Sequence, residues 1–162
     1  MSQISSTHIL LRAVEPSDLD PFFDHQRDPE ACHMAAFTRA NPGDRQAFDA
    51  HWQKILHDPD IDNWTIEHAG QVVGHVSSFV YDSEREITYW IDRAHWGKGL
   101  ATSALQTYLK QQPRRPLYAR AAADNHGSRR VLEKCGFQVI GEDQGFAEAR
   151  GQEIPEFIFR LD

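Results

Sequence analysis

Two glycines flank a lysine in the middle of this sequence, directly ahead of a helical pattern. Residues 96–102 read Trp-Gly-Lys-Gly-Leu-Ala-Thr. The amides in the first turn of a helix have no intrahelical partner, and glycine lets a ligand approach the backbone closely. Gly97 and Gly99, with the positive charge of Lys98 between them, therefore predict a site for a phosphate group. A tight turn without a ligand is the alternative interpretation of the two glycines.

The elements on either side of this loop have opposite periodicities. Residues 86–91 alternate as a strand, with Ile87, Tyr89 and Ile91 on one face. Residues 101–109 carry apolar side chains at helical spacing. A further strand is predicted over residues 117–123, and the intervening helix makes a parallel crossover the expected connection. The loop then lies at the carboxyl end of the first strand, where ligands bind in open α/β sheets.

Two nucleotide-binding motifs do not fit this loop. Lys98 is followed by Gly99, so the loop is not a P-loop of the GxxxxGK(S/T) form, and the dinucleotide fingerprint GxGxxG does not occur. A different match is better. The segment WGKGLA followed by TSAL, together with NHGSRRVLEKCGF further along, resembles the acetyl-CoA-binding core of the GNAT acyltransferase superfamily. The similarity is greatest to the branch typified by the ribosomal-protein N-terminal acetyltransferases, which often carries Trp at the position of Trp96, where other members have Gln or Arg.

This resemblance implies a fold and an activity. The expected fold is a single α/β domain over residues 1–162, with a mixed, mostly antiparallel sheet of six to seven strands. A splayed parallel pair lies at the centre of that sheet, and about four helices flank it. The closing hairpin is predicted as two short strands, residues 137–140 and 154–161, joined by a long loop. The implied activity is N-acetyltransfer from acetyl-CoA to a primary amine by direct attack on the thioester, with no metal.

The resemblance also assigns residues to the cosubstrate. The main chain of Tyr89, Trp90 and Ile91 is expected along the pantetheine arm, which Asn125 contacts from beyond the next strand. Arg130 is expected to contact the phosphate oxygens, and Arg129 is an alternative. Either arginine, or both, could instead lie on the solvent-exposed face of the helix. The pyrophosphate is assigned to the loop and the first helical turn, namely to Trp96, Gly97, Lys98, Gly99, Leu100, Ala101 and Thr102.

Acyl transfer to an amine requires a base, because a lysine-like amine with a pKa of about 10.4 is protonated at neutral pH. Glu86 matches the base glutamate of several GNAT enzymes, with a surface carboxylate as the alternative. The tyrosine that usually acts as general acid is replaced by Leu132, and Ser128 one turn earlier is the candidate donor to the sulfur. Ser128 as a packing or capping residue remains open. His33 and His75 are alternative bases.

The acceptor pocket falls on the least patterned part of the chain. Residues 30–42 have no clean period and are predicted to be irregular or briefly helical. The resemblance makes His33, Met34 and Phe37 candidate acceptor contacts, with packing as the alternative for each. Thr88 shares a strand face with Glu86 and is added to them.

Composition narrows the class of partner. The chain has 162 residues and a net charge of −7, which argues against nonspecific binding to nucleic acids or anionic membranes. Two cysteines without paired spacing indicate neither a disulfide framework nor a zinc site, and no apolar run reaches the length of a membrane span. A cytoplasmic location is expected, with monomer and homodimer both open. A noncatalytic acyl-CoA sensor is the alternative function.

Overall fold

Seven strands form one mixed sheet in the computed structural model, which describes residues 8–162. The strands are β1 Leu10–Ala13, β2 Asp62–His68, β3 Gln71–Tyr81, β4 Glu84–Ile91, β5 Leu117–Ala122, β6 Gln138–Ala147 and β7 Gln152–Leu161. Their order across the sheet is β1-β2-β3-β4-β5-β7-β6, and β4 and β5 are parallel while the other neighbours are antiparallel. The predicted α/β class and the mostly antiparallel sheet with a central parallel pair are confirmed.

Five α-helices cover the sheet within the described residues, one more than predicted. They are α1 Leu19–Arg27, α2 Pro29–Ala35, α3 Arg45–Leu56, α4 Leu100–Gln111 and α5 His126–Lys134. Capping side chains fix where two of them begin. Asp44 accepts a hydrogen bond from the Ala47 amide at 3.0 Å, and Asn125 accepts one from the Ser128 amide at 3.2 Å.

The additional helix is α2, in the stretch that the sequence left irregular or briefly helical. Pro29 provides a helical φ at its first position, and Ala31 and Cys32 are buried. The Cys32 thiol lies 3.0 Å from the Gln26 carbonyl of α1. The helix ends at Ala36, whose φ of 67° is left-handed. Seven residues are too few to display a periodic stripe, so packing against α1 determines this helix.

The closing hairpin differs from the prediction, because the long loop does not exist. β6 continues through Gly141 and Gly145, and only residues 148–151 connect it to β7. Gly141 lies at a register shift, which a strand glycine accommodates. At Gly145 a Cβ would lie 3.1 Å from the Phe37 ring. Both glycines therefore have structural roles inside a strand and do not mark a loop.

The two faces of the sheet have different cores. Helices α4 and α5 cover an aliphatic face, which includes Ile87, Leu105 and Phe159. The opposite face is covered by α1 and α3, whose side chains form an aromatic cluster of Phe22, Phe23, Phe48 and Trp52. Alternation along β4 therefore directs Ile87, Tyr89 and Ile91 toward α4 and α5, and Glu86, Thr88 and Trp90 toward the other face.

The parallel pair separates soon after it forms. Within the described residues, the only Cα partners between β4 and β5 are Glu86 and Tyr118. β3, by contrast, stays paired with β4 as far as Ile91. The gap beyond Glu86 leaves one edge of β4 without a neighbouring strand, and this opening is the splay that the resemblance predicted.

Candidate active site

A cleft of about 600 Å³ runs from the start of α4 into the gap between β4 and β5. The aliphatic face contributes the start of α4 and one side of α5, whereas α2 contributes the wall on the opposite face. The lining residues are Glu30, Ala31, Met34, Ala35, Tyr89, Trp90, Ile91, Trp96, Gly97, Gly99, Ala101, Thr102, Asn125, Gly127, Ser128, Arg130, Val131 and Lys134. The cleft thus passes from one face of the sheet to the other through the splay.

The mouth of α4 has the geometry that an anion requires. Gly97 and Gly99 have φ values of 76° and 75°, a left-handed conformation that favours glycine. The first hydrogen bond of the helix runs from the Ser103 amide to the Gly99 carbonyl at 3.0 Å, so the amides before Ser103 have no intrahelical partner. Leu100 is buried in the core, and the Lys98 side chain is exposed beside the loop.

The hydrogen-bonding pattern of β4 determines which main-chain groups face the gap. The Asp92 amide donates to the Val73 carbonyl at 2.8 Å, and partners alternate along an antiparallel ladder. Thr88 and Trp90 therefore bond to β3, and Tyr89 and Ile91 direct their main-chain groups toward the gap. Of the three residues predicted along the pantetheine arm, Trp90 contributes a side chain to the cleft, whereas its main chain faces β3.

Asn125 holds two parts of the cleft together. Its Oδ1 accepts from the Ser128 amide, and its Nδ2 donates to the Met34 carbonyl at 3.2 Å. Arg150 supports the same wall: it donates to the His33 carbonyl at 2.6 Å and forms a two-pronged ion pair with Asp124. The Asn125 side chain is thus engaged with protein groups on both sides, and the wall formed by α2 is fixed to α5.

The two adjacent arginines have different roles. Arg129 donates to the Ala123 carbonyl at 2.9 Å, and its guanidinium lies 4.6 Å from the centre of the Phe157 ring. It is a structural residue. Arg130 is exposed and lines the cleft together with Lys134. Only Arg130 of the pair is therefore available to a phosphate in the cleft.

The phenol of Tyr89, a residue predicted to contribute only its main chain, lies beside Ser128. The Tyr89 hydroxyl is 2.8 Å from Ser128 Oγ, and both residues line the cleft. Burial raises the pKa of Tyr89 to about 12, although the hydrogen bond with Ser128 acts in the opposite direction. Leu132, at the position of the usual general-acid tyrosine, is 1% exposed within the aliphatic core. Strand alternation alone predicts that Tyr89 faces α5, but not which residue it contacts.

Glu86, the predicted base, is held in an ion-pair network. Arg120 Nε donates to Glu86 Oε1 at 3.0 Å, and Arg120 Nη1 lies 2.8 Å from Glu156 and 3.2 Å from Asp143. Glu86 is 9% exposed, and it is not among the residues that line the cleft. Its carboxylate lies on the face that α2 covers, at the closed end of the splay.

Of the remaining candidates for acceptor binding or for the base, only one lines the cleft. Met34 lines the cleft, whereas His33 is exposed and Phe37 packs on Gly145 of β6. Thr88 is exposed on β4 outside the lining. His75 is enclosed between the rings of Phe22 and Trp52, with centroid distances of 4.8 and 5.0 Å, so this alternative base has no access to the cleft.

Cys135 lies near the cleft without the features of a nucleophile. Burial raises the pKa of its thiol to about 11, and Sγ is 3.9 Å from the Thr102 carbonyl. A thiol with a raised pKa carries little thiolate at neutral pH. Among residues 8–162, no helix has the length and apolarity to cross a membrane, and no cluster of side chains suited to a metal ion occurs.

Comparison with known proteins identifies the family. The family model for the acetyltransferase (GNAT) domain matches residues 8–138. The chain belongs to the GNAT family of acetyltransferases. This membership confirms the family predicted from sequence and makes the chain an N-acetyltransferase. A protein described as an uncharacterized N-acetyltransferase p20, from Bacillus licheniformis, is 24% identical over 177 residues, covering 99% of this chain and 96% of its own.

Solved structures of the family share the fold. Spermidine N-acetyltransferase from Vibrio cholerae, solved with CoA and spermine, has a TM-score of 0.80 at 19% identity and covers 94% of each chain. Mycobacterium smegmatis RimJ, solved in complex with CoA-disulfide, has a TM-score of 0.81 at 19% identity. The match covers 97% of this GNAT chain and 83% of RimJ. At these identities the likeness extends to the fold alone.

Proposed function

We propose that this GNAT enzyme binds acetyl-CoA in the cleft and transfers the acetyl group to a primary amine by direct attack in a ternary complex. The supporting observation is the continuity of the cleft from the start of α4, through the gap beside β4, to the wall of α2. In the proposed complex the pyrophosphate lies on the amides of residues 98–102, with Arg130 beside it. The pantetheine arm pairs with the main chain of Tyr89 and with the amide of Ile91, because the Ile91 carbonyl accepts from the Trp96 indole.

The acceptor amine approaches from the side of the sheet where Glu86 and Thr88 of β4 and Met34 of α2 lie. An α-amino group has a pKa of about 7.7 to 8.0 and must lose its proton before its nitrogen attacks the thioester carbon. We keep Glu86 as the candidate base. Because Arg120 occupies Oε1, we assign the proton transfer to a water molecule that bridges the amine and the other carboxylate oxygen.

We propose that the acceptor is an amine that carries a positive charge when it approaches the site. Three carboxylates, Glu86, Asp143 and Glu156, surround the single guanidinium of Arg120, so this cluster has an excess of negative charge. That charge favours a protonated amine in the encounter complex. Structural relatives that act on spermidine support the inclusion of polyamines with peptide N-termini among the candidates.

The test is release of CoA thiol from acetyl-CoA in the presence of separate amines. The panel contains an N-terminal peptide, free lysine, spermidine and an aminoglycoside. Release that depends on one amine class, with the acetylated product found by mass spectrometry, is the expected result. The alternative of a noncatalytic acyl-CoA sensor predicts tight binding of acetyl-CoA by calorimetry and no turnover with any amine. One observation favours the sensor: Leu132 replaces the tyrosine that usually acts as general acid.

A further inference from the structure

Two hydroxyl groups share one hydrogen bond inside the cleft. Tyr89 Oη and Ser128 Oγ are 2.8 Å apart, and either oxygen has the geometry of a donor. Each hydroxyl carries one proton and the bond between them uses one. If Tyr89 donates to Ser128 Oγ, the Ser128 proton remains for a ligand in the cleft. In the opposite direction, the Tyr89 proton can reach the Ser128 carbonyl at 3.5 Å.

The position of Ser128 determines which hydroxyl faces the ligand. Ser128 lies in the first turn of α5, where its amide is held by Asn125 Oδ1 at 3.2 Å. Tyr89 packs at the edge of the aliphatic core, and burial keeps its phenol protonated by raising its pKa to about 12. A phenol is a stronger donor and a weaker acceptor than an aliphatic hydroxyl, so we assign Tyr89 as the donor and Ser128 Oγ as the acceptor of this bond. The Ser128 proton is then directed away from Tyr89.

We propose that Tyr89 is a positioning residue that holds the Ser128 hydroxyl as a donor to the sulfur of the thioester. This inference rests on the proposed function, in which the sulfur lies in the gap beside Tyr89. Tyr89 of β4 and Ser128 of α5 together then provide the hydrogen-bond donor to the sulfur. Leu132, at the position of the usual tyrosine, has no polar group to do so. Leu132 is sealed in the aliphatic core, so no donor reaches the sulfur from that position.

The chemical step then balances without a proton from the phenol. The amine nitrogen forms a bond to the carbonyl carbon, the carbon–sulfur bond breaks, and its electron pair remains on sulfur. The proton of the amine passes through the base to solvent. The leaving thiolate is a weaker base than the phenolate of Tyr89, whose pKa is about 12, so it does not deprotonate the phenol. The Ser128 hydrogen bond stabilises the charge on sulfur, and the thiolate is protonated by water.

A binding experiment tests the pair without turnover. Calorimetry at pH 9, where a larger fraction of the CoA thiol is ionised than at neutral pH, compares CoA with desulfo-CoA, which lacks the sulfur. We expect the wild type to prefer CoA by about fivefold, the effect of one hydrogen bond. Tyr89→Phe and Ser128→Ala should bring this ratio close to one, and Ser128→Thr should preserve it. Equal ratios in the wild type and Tyr89→Phe, or no preference in the wild type, overturn the proposal.

The structure provides a matched control. Tyr108 also bonds a serine, with its hydroxyl 2.7 Å from Ser78 Oγ, but within the core and outside the cleft. Tyr108→Phe should therefore leave the CoA preference unchanged. In turnover, Tyr89→Phe and Ser128→Ala should each lower kcat by about tenfold, and the double variant should be no slower than Ser128→Ala. Additive losses contradict the pair. A wild type that prefers CoA but acetylates no amine contradicts the proposed function alone.

Discussion

The indole nitrogen of Trp96 donates a hydrogen bond to the carbonyl of Ile91 across 2.9 Å. This bond connects the glycine-containing loop before α4 to the last residue of β4, whose main-chain groups face the gap. It also gives a physical reason for tryptophan at a position where other members of the superfamily have Gln or Arg. Its side chain reaches back to β4 and fixes the distance between the loop and the strand.

Loss of this bond should weaken CoA binding. Trp96→Phe keeps the ring but removes the donor, so the Ile91 carbonyl loses its partner and the end of β4 is no longer held. We expect the dissociation constant of CoA, measured by calorimetry, to rise about fivefold. Trp64→Phe is the control, because the Trp64 Nε1 has no hydrogen-bond partner among the described residues. Equal losses in the two variants would contradict this role for Trp96.

Gly99→Val should abolish measurable CoA binding. Gly99 has a φ of 75°, which a β-branched residue rarely adopts, and we expect the added side chain to crowd a phosphate bound at the first helical amides. Gly70→Val is a matched control: its φ is 77°, it lies in the turn between β2 and β3, and no atom is within 4 Å of an added Cβ. Both variants should lose a similar degree of stability in thermal unfolding. Only Gly99→Val should lose CoA, and wild-type affinity in that variant would contradict the phosphate assignment.

Much of this arrangement could be predicted from the sequence because its signals are local. Within about 25 residues the apolar period changes from that of a strand to that of a helix, with two glycines at the change, and both glycines are left-handed in the structure. That stretch predicted β4, the loop and α4. The residues from 96 to 102 are close together because they are consecutive.

The contacts that the sequence did not predict are distant along the chain. Tyr89 and Ser128 are 39 residues apart, and Glu86 and Arg120 are 34 residues apart. Alternation predicts which face each side chain occupies, but the register between β4, β5 and α5 decides which partner it meets. The closing hairpin was mispredicted for a related reason. Gly145 leaves room for the ring of Phe37, which is distant in sequence.

Glu86→Gln tests the assignment of the base. If Glu86 accepts the amine proton, kcat/KM should fall by about 100-fold or more, and the remaining rate should follow only the ionisation of the amine as pH rises. Glu156→Gln is the control, because Glu156 pairs with the same guanidinium of Arg120 and has the same 12% side-chain exposure. An unchanged rate and pH profile in Glu86→Gln excludes it as the base. Equal losses in both variants would show that Glu86 acts by holding Arg120.

His75→Phe should make the fold less sensitive to acid. His75 is enclosed by Phe22 and Trp52, and its Nδ1 has no hydrogen-bond partner among the described residues. Burial lowers the pKa of His75 to about 3, with His25 and His51 acting in the same direction. The unfolded chain binds a proton near pH 6.5, whereas the folded chain does not. The contribution of neutral His75 to stability is therefore complete above pH 6.5 and decreases as pH falls from 6.5 toward 3.

Proton linkage predicts that the free energy of unfolding falls by about 2 kcal/mol between pH 7 and pH 5 because of His75. Urea unfolding of the wild type and His75→Phe at the two pH values measures it directly. The free energy of unfolding of the wild type should decrease by about 2 kcal/mol more than that of the variant over this interval. Phenylalanine keeps an aromatic ring between Phe22 and Trp52, so the variant should remain folded at pH 7. Parallel decreases in the two proteins would mean that His75 titrates normally in the folded state, which contradicts its enclosure in the aromatic cluster.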